Sequence, residues 1–175
     1  TLKAGDTIYR CKKIVLACGS TPIIPSGWYL EDDKIIITDT IFELEELPET
    51  VLVIGMGAIG IELGQTIARM GVKTTGVEIL DKIAGIQDPV IEKEFRNIIG
   101  NEIEIKTKTM AILNSVDNRV SVILKNVDTN DEIEREFDLV VLASGRRLNA
   151  DHLNLEKSGL NLDKYKVPIY DKKTL

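Results

Sequence analysis

The sequence predicts an α/β protein in three layers, with a parallel sheet between helices and an antiparallel three-stranded meander. Three observations carry this expectation. Residues 51–78 read as a strand, a Gly-x-Gly-x-x-Gly turn, a helix and a second strand. Residues 110–137 read as short strands joined by Asp/Asn turns, and residues 139–143 are a continuous apolar run of the kind that fills the middle of a parallel sheet.

Along the chain, Thr7 to Ala17 is expected as one strand, which Gly19-Ser20-Thr21-Pro22 breaks into a loop running through Pro25 and Gly27. Trp28 and Tyr29 follow in that loop and are expected to cover a domain seam rather than bind a ligand. Ile35 to Ile37 is a short strand. Thr38 or Asp39 can cap a helix running to about Leu44, with Glu43, Glu45 and Glu46 as its solvated face, and Pro48 ends this arm.

Val51 to Ile54 then signal a buried strand that stops at Gly55, where the chain must turn sharply into a helix. Gly57 lets the backbone approach a pyrophosphate, and Gly60 lets the helix pack closely on the strand. The helix starts at about Ala58, so its unpaired N–H groups and partial positive charge face the phosphates. Ile59, Leu63, Ile67 and Met70 fall at helical spacing and are expected to face the sheet, and Gly71 closes the helix. Val72 to Glu78 is the second strand. A carboxylate at its carboxyl end can accept both hydroxyls of an adenosine ribose, so the unit reads as dinucleotide-binding.

Asp88-Pro89 opens a second amphipathic helix, with Val90, Ile91, Phe95, Ile98 and Ile99 apolar and Gly100 at its close. A short strand around Ile103 and Ile105 precedes the meander, whose strands are Met110–Val116, Val120–Val127 and Ile133–Phe137. Leu139 to Ala143 is the last parallel strand. Its end at Ser144-Gly145 falls beside the glycine turn if the sheet is doubly wound. The expected core comprises Val51 to Ile54, Ile67, Val77, Phe95 and Leu139 to Leu142.

Composition narrows the function classes. With 43% apolar and 29% charged residues the chain is ordinary globular material, and a net charge of −6 argues against nucleic acid or an anionic membrane as partner. The longest apolar stretch, Val51 to Ile61, contains three glycines and stops at Glu62, far short of a bilayer span, and no signal peptide is visible. Cys11 and Cys18, seven positions apart in the expected strand, point to opposite faces and are read as reduced packing residues, consistent with a cytoplasmic, reducing location. His152, the single histidine, has no partner at recognisable spacing and reads as a surface residue, so no metal site is expected. The chain opens on Thr1 and stops at Leu175 in a polar segment, which reads as an excised piece.

Three separated motifs resemble one family. Leu16-Ala17-Cys18-Gly19-Ser20-x-Pro22 is similar to the Ala-Thr-Gly-Ser-x-Pro loop of the pyridine nucleotide-disulfide oxidoreductases, Gly55 to Glu78 to their NAD-binding unit, and Ala143 to Asn149 to their Gly-Arg-x-Pro-Asn exit. The resemblance covers essentially the whole chain, and the Gly-x-Ile-Gly-x-Glu-Leu-Gly form from Gly57 to Gly64 is most similar to that of the dihydrolipoamide dehydrogenases. It implies an FAD/NAD(P)-binding Rossmann-like fold. It also implies a parent enzyme that passes electrons from dihydrolipoamide through a disulfide and FAD to NAD⁺.

On this resemblance residues 49–147 are the NAD-binding domain, with 1–48 leading from an FAD domain and 148–175 returning to it. The implied NAD contacts are Gly55, Met56, Gly57, Ala58, Ile59, Gly60, Glu62, Glu78, Thr109 and Gly145, with Ile59 on the nicotinamide side, Glu62 accepting from the carboxamide and Thr109 touching adenine. From its position alone, Glu62 reads as a dipole-compensating residue. Cys18, Gly19 and Ser20 fall on the loop that touches FAD. The redox cysteine pair and the base lie in parts of the parent outside this chain, so no catalytic residue is expected here and the chain alone is expected to be inactive. The implied parent is a homodimer able to join a 2-oxo acid dehydrogenase complex. Cys18 stands where the family has threonine and Leu148 where it has proline, while Ala58 and Glu78 disfavour the NADPH-using members. Other members, of NADH oxidase, glutathione reductase or mercuric reductase type, share most of these motifs. A stand-alone NAD-sensing module is the reading from a different class, and it accounts for neither Cys18-Gly19-Ser20 nor Gly145-Arg146.

Overall fold

The computed structural model describes residues 1–30, 33–171 and 173. The chain forms two compact units, one of Pro22–Arg147 and one of Thr1–Thr21 with the residues from Leu148 onward.

In the smaller unit β1 (Leu2–Ala4) and β2 (Thr7–Tyr9) form a hairpin in register Lys3↔Ile8, and Gly5 takes the left-handed conformation at its turn (φ 58°). The expected strand to Ala17 ends at Tyr9. Beyond it Ile14, Val15 and Leu16 are exposed at 48%, 88% and 41%, so the apolar pattern there meets no sheet within this chain. Cys11 is likewise exposed rather than packed, and Cys18 is half-buried, both as free thiols. β3 (Ser20–Pro22) lies where the chain passes into the larger unit.

The larger unit has the three layers. Its middle is a parallel sheet of β4 (Ile35–Ile37), β5 (Thr50–Ile54), β6 (Lys73–Val77), β7 (Glu104–Lys106) and β11 (Leu139–Leu142), in spatial order β4-β11-β5-β6-β7. Side chains alternate across a strand, so one apolar run serves two cores. Val51, Val53, Leu139 and Val141 join Ile61, Ile67 and Ile99 from the helical layer. Leu52, Ile54, Val140 and Leu142 join Val120, Val122 and Phe137 from the meander. The meander is β8 (Thr109–Val116), β9 (Val120–Asn126) and β10 (Glu132–Phe137), in order β10-β9-β8.

Residues 22–48 belong to this unit, contributing β4 and buried Ile41, so the boundary expected at 48/49 falls inside it. Trp28 is buried in the meander-side core of the same unit, not at a seam. The helix expected after Thr38 or Asp39 is a single 3-10 turn, Ile41–Glu43, and neither residue caps it: the Thr38 hydroxyl donates to the Asp39 carboxylate instead.

The helical layer also departs from apolar counting. Helix α1 (Ala58–Arg69) buries Gly60, Ile61, Gly64 and Ile67, while Ile59 is 41% and Met70 58% exposed. Close approach decides the face, because a Cβ on Gly64 would lie 3.3 Å from the Ile103 side chain. Helix α2 (Pro89–Ile99) is capped by Asp88, whose carboxylate accepts from the Val90 and Ile91 N–H groups at 2.8 and 3.2 Å. It buries Ile99 and half-buries Phe95, but Val90, Ile91 and Ile98 face outward. Among the described residues no helix is long and apolar enough to cross a membrane.

Candidate functional site

A groove of about 700 Å³ opens at the carboxyl ends of β5, β6 and β11, entirely within the larger unit. Ligands gather at such ends in open α/β sheets, and its floor is the glycine turn between β5 and α1.

The three glycines have separate physical roles. Gly55 sits at φ 96° and donates its N–H to the Val77 carbonyl at 2.8 Å, and a Cβ there would lie 2.5 Å from the Ala143 carbonyl oxygen. A Cβ on Gly60 would fall 1.9 Å from the Gly55 carbonyl oxygen, so the turn closes on the helix only because both are glycine. Gly57 has nothing within 4 Å of its Cβ position and lines the groove. A phosphate-bearing ligand can therefore approach this backbone.

No side chain caps α1, and the first backbone donor to find a helical acceptor near its start is Ile61, which bonds to the Gly57 carbonyl at 3.0 Å. The preceding N–H groups and the positive end of the helix dipole are left for an anion. Among the described residues the groove lining contains no lysine or arginine, and its one carboxylate is Glu78. The residues thus suit a dinucleotide whose phosphates are held by backbone N–H groups and whose ribose meets an acid.

Glu78 follows β6. Its Oε2 accepts from the Met56 N–H at 2.9 Å and its Oε1 from the Leu80 N–H at 3.1 Å, which fixes the carboxylate beside the glycine turn. Thr109 is buried at the same end, with its N–H given to the Glu78 carbonyl at 2.9 Å and its hydroxyl to the Thr107 carbonyl at 2.9 Å. Next to it Lys108 (φ 51°) is paired at 2.8 Å with Asp128 and 3.7 Å with Asp81. The hydrogen bond and charge of Asp128, with Asp81 behind them, hold its ammonium above the usual lysine range.

At the other end Gly145 (φ 112°) accepts the Ile23 N–H on its carbonyl at 2.9 Å, and the Ser144 hydroxyl donates to the Ile23 carbonyl at 2.7 Å. These bonds tie the Pro25–Trp28 turn to the end of β11. Arg146 just beyond pairs with Asp39 at 2.6 Å, and that hydrogen bond keeps the Asp39 carboxyl below its ordinary range.

Five of the expected contacts, Gly55, Gly57, Glu78, Thr109 and Gly145, therefore share one groove wall. The other five do not. The Met56 side chain is fully buried against Gly76, whose Cβ position lies 2.3 Å from the Met56 sulfur, and its N–H already serves Glu78. Gly60 is buried at the helix contact, and Ala58, Ile59 and Glu62 are exposed outside the lining. Cys18, Gly19 and Ser20 lie in the smaller unit, where Gly19 (φ 69°) accepts the Asn149 N–H on its carbonyl at 3.0 Å and Thr21 donates its hydroxyl to the Asn149 side chain. His152 is exposed.

Sequence reasoning missed three parts of the wall: the Pro25–Trp28 turn, Ile79-Leu80, and the β8 residues from Met110 to Leu113. Ile79 and Leu80 carried a usable signal, since two apolar residues directly after a strand-ending acid are well placed to flank a base. They are 53% and 65% exposed.

A protein-family model described as pyridine nucleotide-disulphide oxidoreductase matches residues 1–174. The mitochondrial dihydrolipoyl dehydrogenase of Schizosaccharomyces pombe is 31% identical over 170 residues, covering 96% of this chain and 33% of that protein. The leghemoglobin reductase of Vigna unguiculata is 30% identical over 167 residues, covering 94% of this chain and 32% of its own length. The chain thus spans about a third of the length of these curated relatives. Among solved structures, the HOCl-induced flavoprotein disulfide reductase RclA from Escherichia coli superposes with a TM-score of 0.73 over 89% of this chain and 35% of its own, at 21% identity, a likeness of fold.

Proposed function

The chain belongs to the pyridine nucleotide-disulphide oxidoreductase family, and we propose that its Pro22–Arg147 unit is the NAD-binding domain of a flavin-dependent enzyme of the dihydrolipoyl dehydrogenase type. The carrying observation is the pairing of an uncapped α1 N-terminus with Glu78 in one groove that contains no lysine or arginine among its described lining residues. In this reading α1 and the bare face of Gly57 hold the pyrophosphate, Glu78 holds the adenosine ribose, Thr109 borders the adenine and Gly145 the nicotinamide nucleoside. Nicotinamide would supply hydride acceptance. This chain's own residues bind and orient the dinucleotide.

The segments before Pro22 and after Arg147 then lead to a flavin domain, with Cys18, Gly19 and Ser20 on its contact loop. Cys11 and Cys18 are free thiols at present, and the redox disulfide is assigned to the parent outside this chain, as are the base and the homodimer contact. Names among the relatives support dihydrolipoamide as the reductant, and a 2-oxo acid dehydrogenase complex is the setting this reading implies. The names leghemoglobin reductase and flavoprotein disulfide reductase favour, as the second reading, another activity of the same family.

Two measurements test the proposal. Calorimetric titration with NAD⁺ and NADP⁺ examines the groove, with tighter NAD⁺ binding expected. Steady-state assay of the full-length protein with dihydrolipoamide and NAD⁺ examines the activity. Turnover with a different disulfide, or with oxygen, moves the assignment within the family, and NAD⁺ binding without any turnover favours a sensing module.

A further inference from the structure

We propose that Trp28 is a binding residue for the nicotinamide-nucleoside half of the dinucleotide, its indole edge forming an aromatic wall there. The inference rests on the NAD reading above and adds to it a residue and the half of the ligand that it serves. Trp28 is the single tryptophan of the chain. It is 7% exposed, packed in the meander-side core, and lines the groove.

Three constraints fix the ring. Its backbone N–H closes a turn onto the Pro25 carbonyl at 3.1 Å, with Gly27 left-handed at φ 85°. The turn follows Ile23, which is bonded to Gly145 and Ser144. The indole Nε1–H donates to the Ala111 carbonyl at 3.4 Å. The ring is thus held before any ligand arrives, so contact with it costs little ordering. With its N–H committed, Trp28 offers aromatic area rather than a hydrogen bond.

The sheet order decides which half it meets. Glu78 follows β6 on one side of β5, whereas Gly145 follows β11 on the other, and the Trp28 turn is tied to Gly145. A dinucleotide anchored by its adenosine ribose at Glu78 and its pyrophosphate at α1 extends its second nucleoside toward Gly145 and Trp28.

The test uses the full-length protein, titrated with NAD⁺ and separately with ADP, in unaltered, Trp28→Phe and Trp28→Ala forms. Indole emission should fall as NAD⁺ saturates and stay nearly level with ADP, and the NAD⁺-dependent part should vanish in Trp28→Phe. Trp28→Ala should weaken NAD⁺ by about five- to tenfold while ADP stays within about twofold, and Trp28→Phe should hold NAD⁺ within about threefold. Equal losses for NAD⁺ and ADP in Trp28→Ala would overturn the proposal. So would saturation by NAD⁺ without a Trp28-dependent emission change, a readout that stands even if Trp28→Ala does not fold. No NAD⁺ binding by the unaltered protein would instead remove the NAD reading itself.

Discussion

The Glu78 carboxylate accepts the Met56 backbone N–H at 2.9 Å, so the acid that ends β6 is fastened to the glycine turn that ends β5. Its second oxygen takes the Leu80 N–H at 3.1 Å. Each carboxylate oxygen can accept more than one hydrogen bond, so both remain able to meet ribose hydroxyls. One side chain thereby shapes the turn and lines the groove, so its position is fixed before any ligand binds.

The first prediction is preference for NAD(H) over NADP(H). A 2′-phosphate would face Glu78, and one unit of like charge at about 4 Å with an effective dielectric of 20 amounts to about 4 kcal/mol, an upper guide in an open groove. Glu78→Gln should narrow the preference while keeping an acceptor for Met56. Glu78→Ala should narrow it and also cost about 1–2 kcal/mol of stability, because that N–H loses its partner. Calorimetry and denaturant unfolding measure the two effects separately, and tighter NADP⁺ binding by the unaltered protein would contradict the assignment.

The second prediction separates two glycines three positions apart. Gly60→Ala places a Cβ 1.9 Å from the Gly55 carbonyl oxygen, and neither backbone can yield without opening the turn. A loss of about 3 kcal/mol or more is expected, together with loss of binding. Gly57→Ala meets nothing within 4 Å, so stability should move by less than about 0.5 kcal/mol. NAD⁺ affinity should nevertheless fall by about tenfold, since the methyl group occupies the approach to the backbone. Equal thermal shifts in the two variants would refute this division.

The βαβ unit was legible because its signals are local: an apolar run, fixed glycines and an acid at a strand end lie within 28 consecutive residues, 51–78. The meander was legible for the same reason, with Asp/Asn turns between short alternating strands. What failed depends on neighbours. The sheet-facing side of α1 is set by Gly60 and Gly64, which carry no apolar side chain for a periodicity count to register. Met56 and Ile59 match a binding motif, yet packing turns one into the core and leaves the other outside the groove. Trp28 reaches the wall through its own bond to Ala111 and through those that Ile23, just ahead of its turn, makes with Gly145 and Ser144, contacts across more than 80 positions that no local pattern encodes.

The last prediction concerns acid stability and rests on Asp138, between β10 and β11. Its Oδ2 accepts from the Thr50 N–H at 2.9 Å and from the Thr50 hydroxyl at 2.7 Å, and Arg119, in the turn between β8 and β9, pairs with Oδ1 at 2.9 Å. Partial burial alone would raise this carboxyl, but the two Thr50 hydrogen bonds and the Arg119 charge outweigh it and hold it below the ordinary aspartate range. Below about pH 4, the ordinary value, the unfolded chain therefore binds more protons at this site than the folded one. The contribution of Asp138 is complete above that pH and is lost as the pH falls through the folded value. Asp138→Asn should cost about 1–2 kcal/mol at neutral pH, since the amide keeps one acceptor for Thr50 but gives up the charge facing Arg119. Its stability curve should also fall less steeply than that of the unaltered protein below about pH 4. Thr50→Val, which removes the hydroxyl and leaves the N–H, should give an intermediate slope. Unfolding by denaturant at a series of pH values measures all three, and parallel acid limbs for the unaltered protein and Asp138→Asn would show that Asp138 does not link β5, β11 and the β8–β9 turn in the way its geometry indicates.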